Sequence, residues 1–373
     1  MRPHPSRSDN GRGSRFGDAP RAPYDRDVRI RSRVLAAAVL LLSTALGTVA
    51  CTAADTRVPS PSPTADSPAP TLPAASVPAV TAFGGNCDDV LSPEQVNGLV
   101  DGATLDTGEP QPYPPSELTG ILGCVWRSAI PGQTLRVTAI PADLVPSSVA
   151  DSPLYAMESC DAFGGECVRS AVAGGMWLVA DVPPADDPAA ALAVATDALA
   201  LARSSAEAHP GASPARPGGD WWTAPVCEDL NASVDVAAAL DTSVVEPVYY
   251  SDNVPRGAAW ESTVAGGFDV WCPWTGWNGE IGDWSHSGPV VELQVWPGGG
   301  ETAAMSAIFR TYGARAVEVP GADRAVALPG DSGGMRLYVV TGPNAMWVYG
   351  SVSEEILVSL AAAVLPVLAT TGG

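Results

Sequence analysis

The chain has no lysine. All 20 of its basic residues are arginine, and with the surplus of Ala, Gly, Pro and Asp this points to GC-rich coding rather than to a physical constraint. Histidine is nearly missing: there are three, His4 at the N-terminus, His209 in a Ser/Ala/Pro stretch and His286 further on. That scarcity argues against chemistry built on a His base. Basic charge is missing where phosphate recognition would need it. Nine Arg precede residue 51, against four Asp; past that point 11 Arg face 37 carboxylates. A surface that acidic repels nucleic-acid backbones and anionic headgroups, so no nucleic-acid partner is expected. There is no Cys-x-x-Cys and no Cys/His cluster, so no metal and no other cofactor is expected.

Seven cysteines are present. Cys51 ends an apolar run; the other six are Cys87, Cys124, Cys160, Cys167, Cys227 and Cys272. An even remainder in an exported chain reads as three disulfides. Two motifs recur in the same order. Cys87-Asp88-Asp89-Val90 is answered by Cys227-Glu228-Asp229-Leu230. Each is followed by a glycine-led Cys-x-Trp segment, Cys124-Val125-Trp126 and Cys272-Pro273-Trp274, at separations of 37 and 45 residues. The repeat pairs Cys87 with Cys124 and Cys227 with Cys272, which leaves Cys160 for Cys167.

The N-terminus carries an export signal. Residues 1–50 read as a signal peptide with an extended n-region: polar and Arg-rich to residue 27, then Val28-Arg29-Ile30-Arg31-Ser32-Arg33, then an apolar run from Val34 to Ala50. One alternative start is Val28. Cys51 stands where a bacterial lipobox has its lipidated Cys, after Thr48-Val49-Ala50; Thr48 replaces the usual Leu. A lipid anchor on Cys51, an uncleaved apolar anchor and plain secretion are the three readings, and all place the rest of the chain outside the membrane. Residues 51–85 form a Pro/Ser-rich stalk, whose composition cannot bury a core.

Two copies of one domain are expected, at 86–203 and 221–373, with a linker at 204–220. Ser92-Pro93-Glu94-Gln95 is a capping box with proline at the first helical position. A loop follows to Leu118. Ile121–Arg127 and Thr134–Ile140 read as a hairpin, Cys160–Cys167 as a disulfide closing a hairpin tip, and Val168–Val172 with Met176–Ala180 as a further hairpin. Ala189–Arg203 is a helix. In the second copy Asn231 or Ser233 caps a helix to Leu240, and a long loop precedes the Cys-x-Trp strand. Val290–Trp296 is a strand, Glu301–Tyr312 a helix, then strands lie near Ala316–Val319, Arg336–Thr341 and Ala345–Val352, and a helix runs Glu354–Leu368. Met176-Trp177-Leu178 and Met346-Trp347-Val348 match. Hairpins with helices at both ends predict an α+β fold: two tandem antiparallel sheets flanked by helices, each stapled by a disulfide. Trp126 and Trp274 stand two residues past a Cys, hence beside the cystine in the core.

The Cys51 lipobox, the Pro/Ser stalk, the Cys-Asp-Asp-Val start, the Cys-x-Trp strand and the Met-Trp strand before a closing helix together resemble actinobacterial surface lipoproteins of unknown function. They are similar to small mycobacterial lipoproteins with a PsbP-like fold. The resemblance implies an antiparallel sheet flanked by helices at the outer face of the cytoplasmic membrane. It implies no catalytic residue, and this chain departs from it in carrying two copies.

Gly330-Asp331-Ser332-Gly333-Gly334 spells a serine-protease nucleophile motif, but such a Ser needs a His base, and His286 lacks the surrounding pattern. The segment reads as a hairpin loop. Glu280 and Asp283 read as a solvated loop in an acidic chain, and no enzymatic activity is expected. Tryptophan is the informative excess: Trp260, Trp271, Trp274, Trp277, Trp284 and Trp296 fall within 37 residues. Trp271 is out of phase with Cys272 and faces away from the disulfide. Trp277 and Trp284 sit in a Gly-rich loop, where a Trp either packs back on the sheet or faces water. The candidate ligand contacts are Trp277, Trp284, Trp271 and Trp260, with cell-wall glycan or an envelope protein as partner and an N-terminal lipid in the membrane.

Overall fold

The computed structural model describes residues 76–371, apart from 107–112, 131–132, 157–159, 161–164, 184–186, 210, 248–256, 278–286 and 331–332. In the first half the capping box forms as the sequence requires. Ser92 Oγ accepts from Gln95 N, and Gln95 Oε1 accepts from Ser92 N, which starts α1 (Pro93–Leu99). β1 (Thr104–Leu105) and α2 (Pro114–Thr119) occupy part of the stretch expected as loop. Two prolines preset the first turn of α2. β2 (Leu122–Arg127) and β3 (Thr134–Pro141) make the expected hairpin. After the single turns α3 (Ser147–Ala150) and α4 (Pro153–Ala156), β4 (Cys167–Ala173) and β5 (Met176–Val182) pair, and α5 (Pro188–Ala208) closes the half.

The second half repeats this order with additions. The single helix expected near Asn231 is two: α6 (Cys227–Ser233) and α7 (Val236–Ala239), the latter capped by Asp235. β6 (Val244–Pro247) and α8 (Ala258–Ala265) lie in the stretch expected as loop. Then come β7 (Val270–Trp277), β8 (Ser287–Trp296), α9 (Ala303–Arg310), β9 (Arg315–Ala316), β10 (Arg324–Pro329), β11 (Met335–Thr341), β12 (Asn344–Gly350) and α10 (Glu354–Thr371). The sheets run β1-β2-β3-β5-β4 and β6-β7-β8-β12-β11-β10-β9, with antiparallel pairing throughout. The fold is α+β as expected. The first five strands of the second sheet follow the order of the first sheet, and β10 and β9 extend it.

Each sheet buries one face under its closing helix. On α5, Ala191, Ala195, Ala198, Ala202 and Ala206 recur at helical spacing and are buried against Cys124, Trp126, Val137, Leu178 and Ala180. Small residues let the helix sit close; the β4–β5 turn comes so near that a Cβ on Gly174 would lie 2.1 Å from Ala206 O. On α10, Leu357, Leu360, Ala361, Val364, Leu365 and Leu368 cover Cys272, Trp274, Leu293, Val339, Met346 and Val348. Trp126 and Trp274 are core side chains beside their cystines, as the spacing required.

The three disulfides pair as deduced: Cys87–Cys124, Cys160–Cys167 and Cys227–Cys272. Cys160–Cys167 does not close a hairpin tip; it ties the segment after α4 to the start of edge strand β4. Three disulfides belong to an oxidising, extracytoplasmic setting. Among the described residues no helix is long and apolar enough to cross a membrane.

The Met-Trp match shifts by two residues in space. Cys124 faces Val137, which faces Ala180; Cys272 faces Leu293, which faces Val348. Ala180 and Val348 are therefore equivalent, so Trp177 stands three residues before that position and Trp347 one. An even shift preserves the face in a strand of period two, so both rings still point away from the closing helix.

The fold starts ahead of residue 86. Val77 and Val80 form antiparallel bridges with Arg216 and Ser213, and Ala82 and Phe83 are buried in the first core. The outer face of the first sheet is covered in its turn. Ile140, Trp177 and Val179 pack with Trp221, Ala258 and Phe268 of the second half.

Candidate functional site

The four tryptophans singled out as contacts separate in the structure. Trp277 ends β7 and is 2% exposed, so of the two alternatives for that ring the packed one holds and it presents no surface. Trp284 lies outside the described residues, as do Cys51, Glu280, Asp283, His286 and Ser332. Trp260 is half-buried on α8. Trp271 is half-buried and faces away from Cys272, as its phase required.

Trp271 belongs to an aromatic row that the register of the second sheet assembles. It stands opposite Gln294 of β8, Gln294 opposite Trp347 of β12, and Trp347 opposite Tyr338 of β11. The next row is Glu292, Tyr349 and Arg336 on the same three strands. All of these side chains are half-buried, on the face that α10 does not cover. At the far end of the face, α9 packs Met305 and Ile308 onto Trp296, Val340 and Ala345, which closes that end.

The rings are held in place by their polar atoms. Trp347 Nε1 donates to Gln294 Oε1, and Gln294 Nε2 donates to Asp269 Oδ2 at 2.6 Å. Tyr113 Oη, from the first half, donates to the same Asp269 oxygen. Asp269 is fully buried, and burial together with its negative charge pushes the Tyr113 hydroxyl far above the usual phenol range. Trp271 Nε1 donates to Glu292 Oε2 at 3.2 Å. With each indole N–H tied, neither ring can turn without losing a bond.

The rings lie beside one another. Trp347 is 20° from the plane of Tyr338 with centroids 6.2 Å apart, and 25° from Trp296 at 6.5 Å. The Arg336 guanidinium stands 5.9 Å from the Trp347 ring and 5.8 Å from that of Tyr349, within cation–π range. Preset aromatic faces beside a carboxylate and a guanidinium can stack on the C–H face of a sugar ring and bond its hydroxyls. Among the described residues no group of three or more His, Cys, Asp or Glu could hold a metal ion.

Sequence reasoning found Trp271 and missed its neighbours. The signal was present in Arg336-Leu337-Tyr338 and Trp347-Val348-Tyr349, where period two places Arg336 with Tyr338, and Trp347 with Tyr349, on one face. Which strands stand next to β7 had to come from the topology. Compared with family models, curated proteins and solved structures, the chain matches none.

Proposed function

We propose that the chain is a non-enzymatic, lipid-anchored protein at the outer face of the cytoplasmic membrane, and that it binds cell-wall glycan on the outer face of its second sheet. The observation that carries the reading is the row Trp271–Gln294–Trp347–Tyr338, with the orientations of its two indole rings set by part-buried hydrogen bonds. Fixed rings lose little entropy on binding, which favours a ligand offering only weak stacking contacts. The anchor rests on the basic n-region, the apolar run and Cys51. The three disulfides agree with an extracytoplasmic site. The resemblance to actinobacterial surface lipoproteins points the same way.

The test is co-sedimentation of the detergent-solubilised chain with insoluble cell-wall glycan. The wild type should sediment saturably, and Trp271→Ala/Trp347→Ala should stay in the supernatant with a far-ultraviolet circular dichroism spectrum matching that of the wild type. Wild-type protein left in the supernatant removes the glycan reading and turns attention to crosslinking on intact cells.

A further inference from the structure

Tyr113 of the first half reaches the Trp347 ring of the second by two routes. The first is polar. Tyr113 Oη donates to Asp269 Oδ2, Gln294 Nε2 donates to the same oxygen at 2.6 Å, and Trp347 Nε1 donates to Gln294 Oε1. The second runs through rings. The Tyr113 ring stands edge-on to Trp296, at 89° with centroids 6.1 Å apart, and Trp296 lies 25° from the plane of Trp347 at 6.5 Å.

The polar route has a fixed direction. An indole N–H can only donate, and an ionised carboxylate can only accept. The Gln294 amide between them therefore has one workable orientation, its NH2 toward Asp269 and its oxygen toward Trp347. Turned over, it would set donor against donor at Trp347 and acceptor against acceptor at Asp269. The orientation holds while Asp269 stays ionised. Asp269 is fully buried, where a carboxylate needs donors to keep its charge. Tyr113 supplies one of them from the other half, and that charge in turn holds the Tyr113 hydroxyl in its protonated, donating form.

Gln294 stands between Trp271 and Trp347 in the register, so what fixes this amide fixes the middle of the aromatic row. A ring fixed beforehand loses less freedom when a ligand stacks on it.

We propose, on the glycan reading above, that Tyr113 is a positioning residue for binding at the second sheet: the first half sets the Trp347 ring through Asp269 and Gln294. Glycan binding is then a property of both halves together, although the aromatic row belongs to one sheet.

Tyr113→Phe tests the relay alone, because it keeps the ring against Trp296 and removes the hydroxyl. Tyr155→Phe is the matched control. Tyr155 Oη donates to Glu261 of α8 at 3.0 Å, a tyrosine–carboxylate bond between the halves that does not touch the relay. Co-sedimentation of the detergent-solubilised full chain with insoluble cell-wall glycan gives the affinity. NMR of the same chain carrying isotope-labelled tryptophan gives the Trp347 indole N–H resonance, assigned by its loss in Trp347→Phe. Tyr113→Phe should weaken glycan binding about two- to tenfold, the effect of having to immobilise one side chain on binding. It should also shift the Trp347 resonance with no glycan present. Gln294→Met cuts the relay further along and should shift the same resonance, and Tyr155→Phe should change neither readout. Circular dichroism reports whether each variant is folded. The proposal is overturned by a Trp347 resonance that neither relay variant moves, or by an equal loss of binding in Tyr155→Phe. Wild-type chain that does not sediment removes the glycan reading and the proposal with it. Wild-type binding that folded Tyr113→Phe leaves intact removes the proposal alone.

Discussion

Glu117 caps a helix in the other half of the chain. Its carboxylate accepts from Ala303 N at 2.9 Å and from Ala304 N at 2.5 Å, so α2 of the first half holds the start of α9 in the second. Thr302 supplies the ordinary cap to Met305 N, and Glu117 adds a charge where the helix dipole favours it. Glu117→Ala should cost about 0.5–2 kcal/mol, the range for a lost cap. Urea unfolding at fixed pH reads the change, and Glu117→Gln should recover most of it.

Gly298 holds the junction with Trp221. Its φ is +75°, and a Cβ there would lie 2.3 Å from the Trp221 ring. Gly298→Ala therefore meets both backbone strain and an overpacked aromatic. A loss of about 1–3 kcal/mol is expected, read by thermal unfolding. Adding Trp221→Ala should relieve part of it, so the double variant should fall short of the sum of the singles.

Asp181 makes stability depend on pH. Its carboxyl is pushed up to about 7, chiefly by burial, with the Arg136 guanidinium opposing and Glu166 adding to the rise. In the unfolded chain the ordinary value of 3.8 applies. Between these values the folded state keeps a proton that the unfolded state has released. The contribution of this group is thus fully present below about pH 4, falls as pH rises to about 7, and is level beyond. Asp181→Asn should flatten that slope and raise the unfolding midpoint in neutral and mildly alkaline buffer. A slope unchanged by the substitution would refute the assignment.

The cystines should rank by the chain they enclose. Separations of 37 and 45 residues give a loop-closure effect of about 4 kcal/mol each, against about 2.5 kcal/mol for the seven-residue Cys160–Cys167 loop. Paired Cys→Ala variants, compared by denaturant unfolding, should lose stability in that order.

Legibility followed the range of the interaction. The capping box at Ser92 and the alternation of β3 are local patterns, and each formed where the sequence put it; the helix expected over Ala189–Arg203 also formed, but runs on to Ala208, into the stretch expected as linker. The cystine pairing was readable because a duplicated motif carries long-range information within itself. β10 was missed because Arg324–Pro329 is short and its burial comes from a neighbour, β11, rather than from its own pattern. α8 was missed for a related reason: it has no side-chain cap, and it is held by Leu144 and the outer face of the first sheet. Trp277 was the most misleading position. Its glycine-rich surroundings suggested a loop, yet β6 pairs with it through Val244 and carries the strand to its end. The aromatic face itself was half legible: the two strands display their periods, but only the β8–β12–β11 order brings Trp271 into their company.

The short bridges at Val77 and Val80 have a mechanical meaning. Four backbone hydrogen bonds, of 2.9–3.1 Å, join these residues to Ser213 and Arg216, in the segment that connects the halves. A pull on the chain upstream of residue 76 is therefore taken first by that clamp, before it reaches the edge of either sheet. The clamp shares the load between both halves at their junction. Tension applied there would strain a connector and leave the register of both sheets, and with it the spacing of the aromatic row, undisturbed.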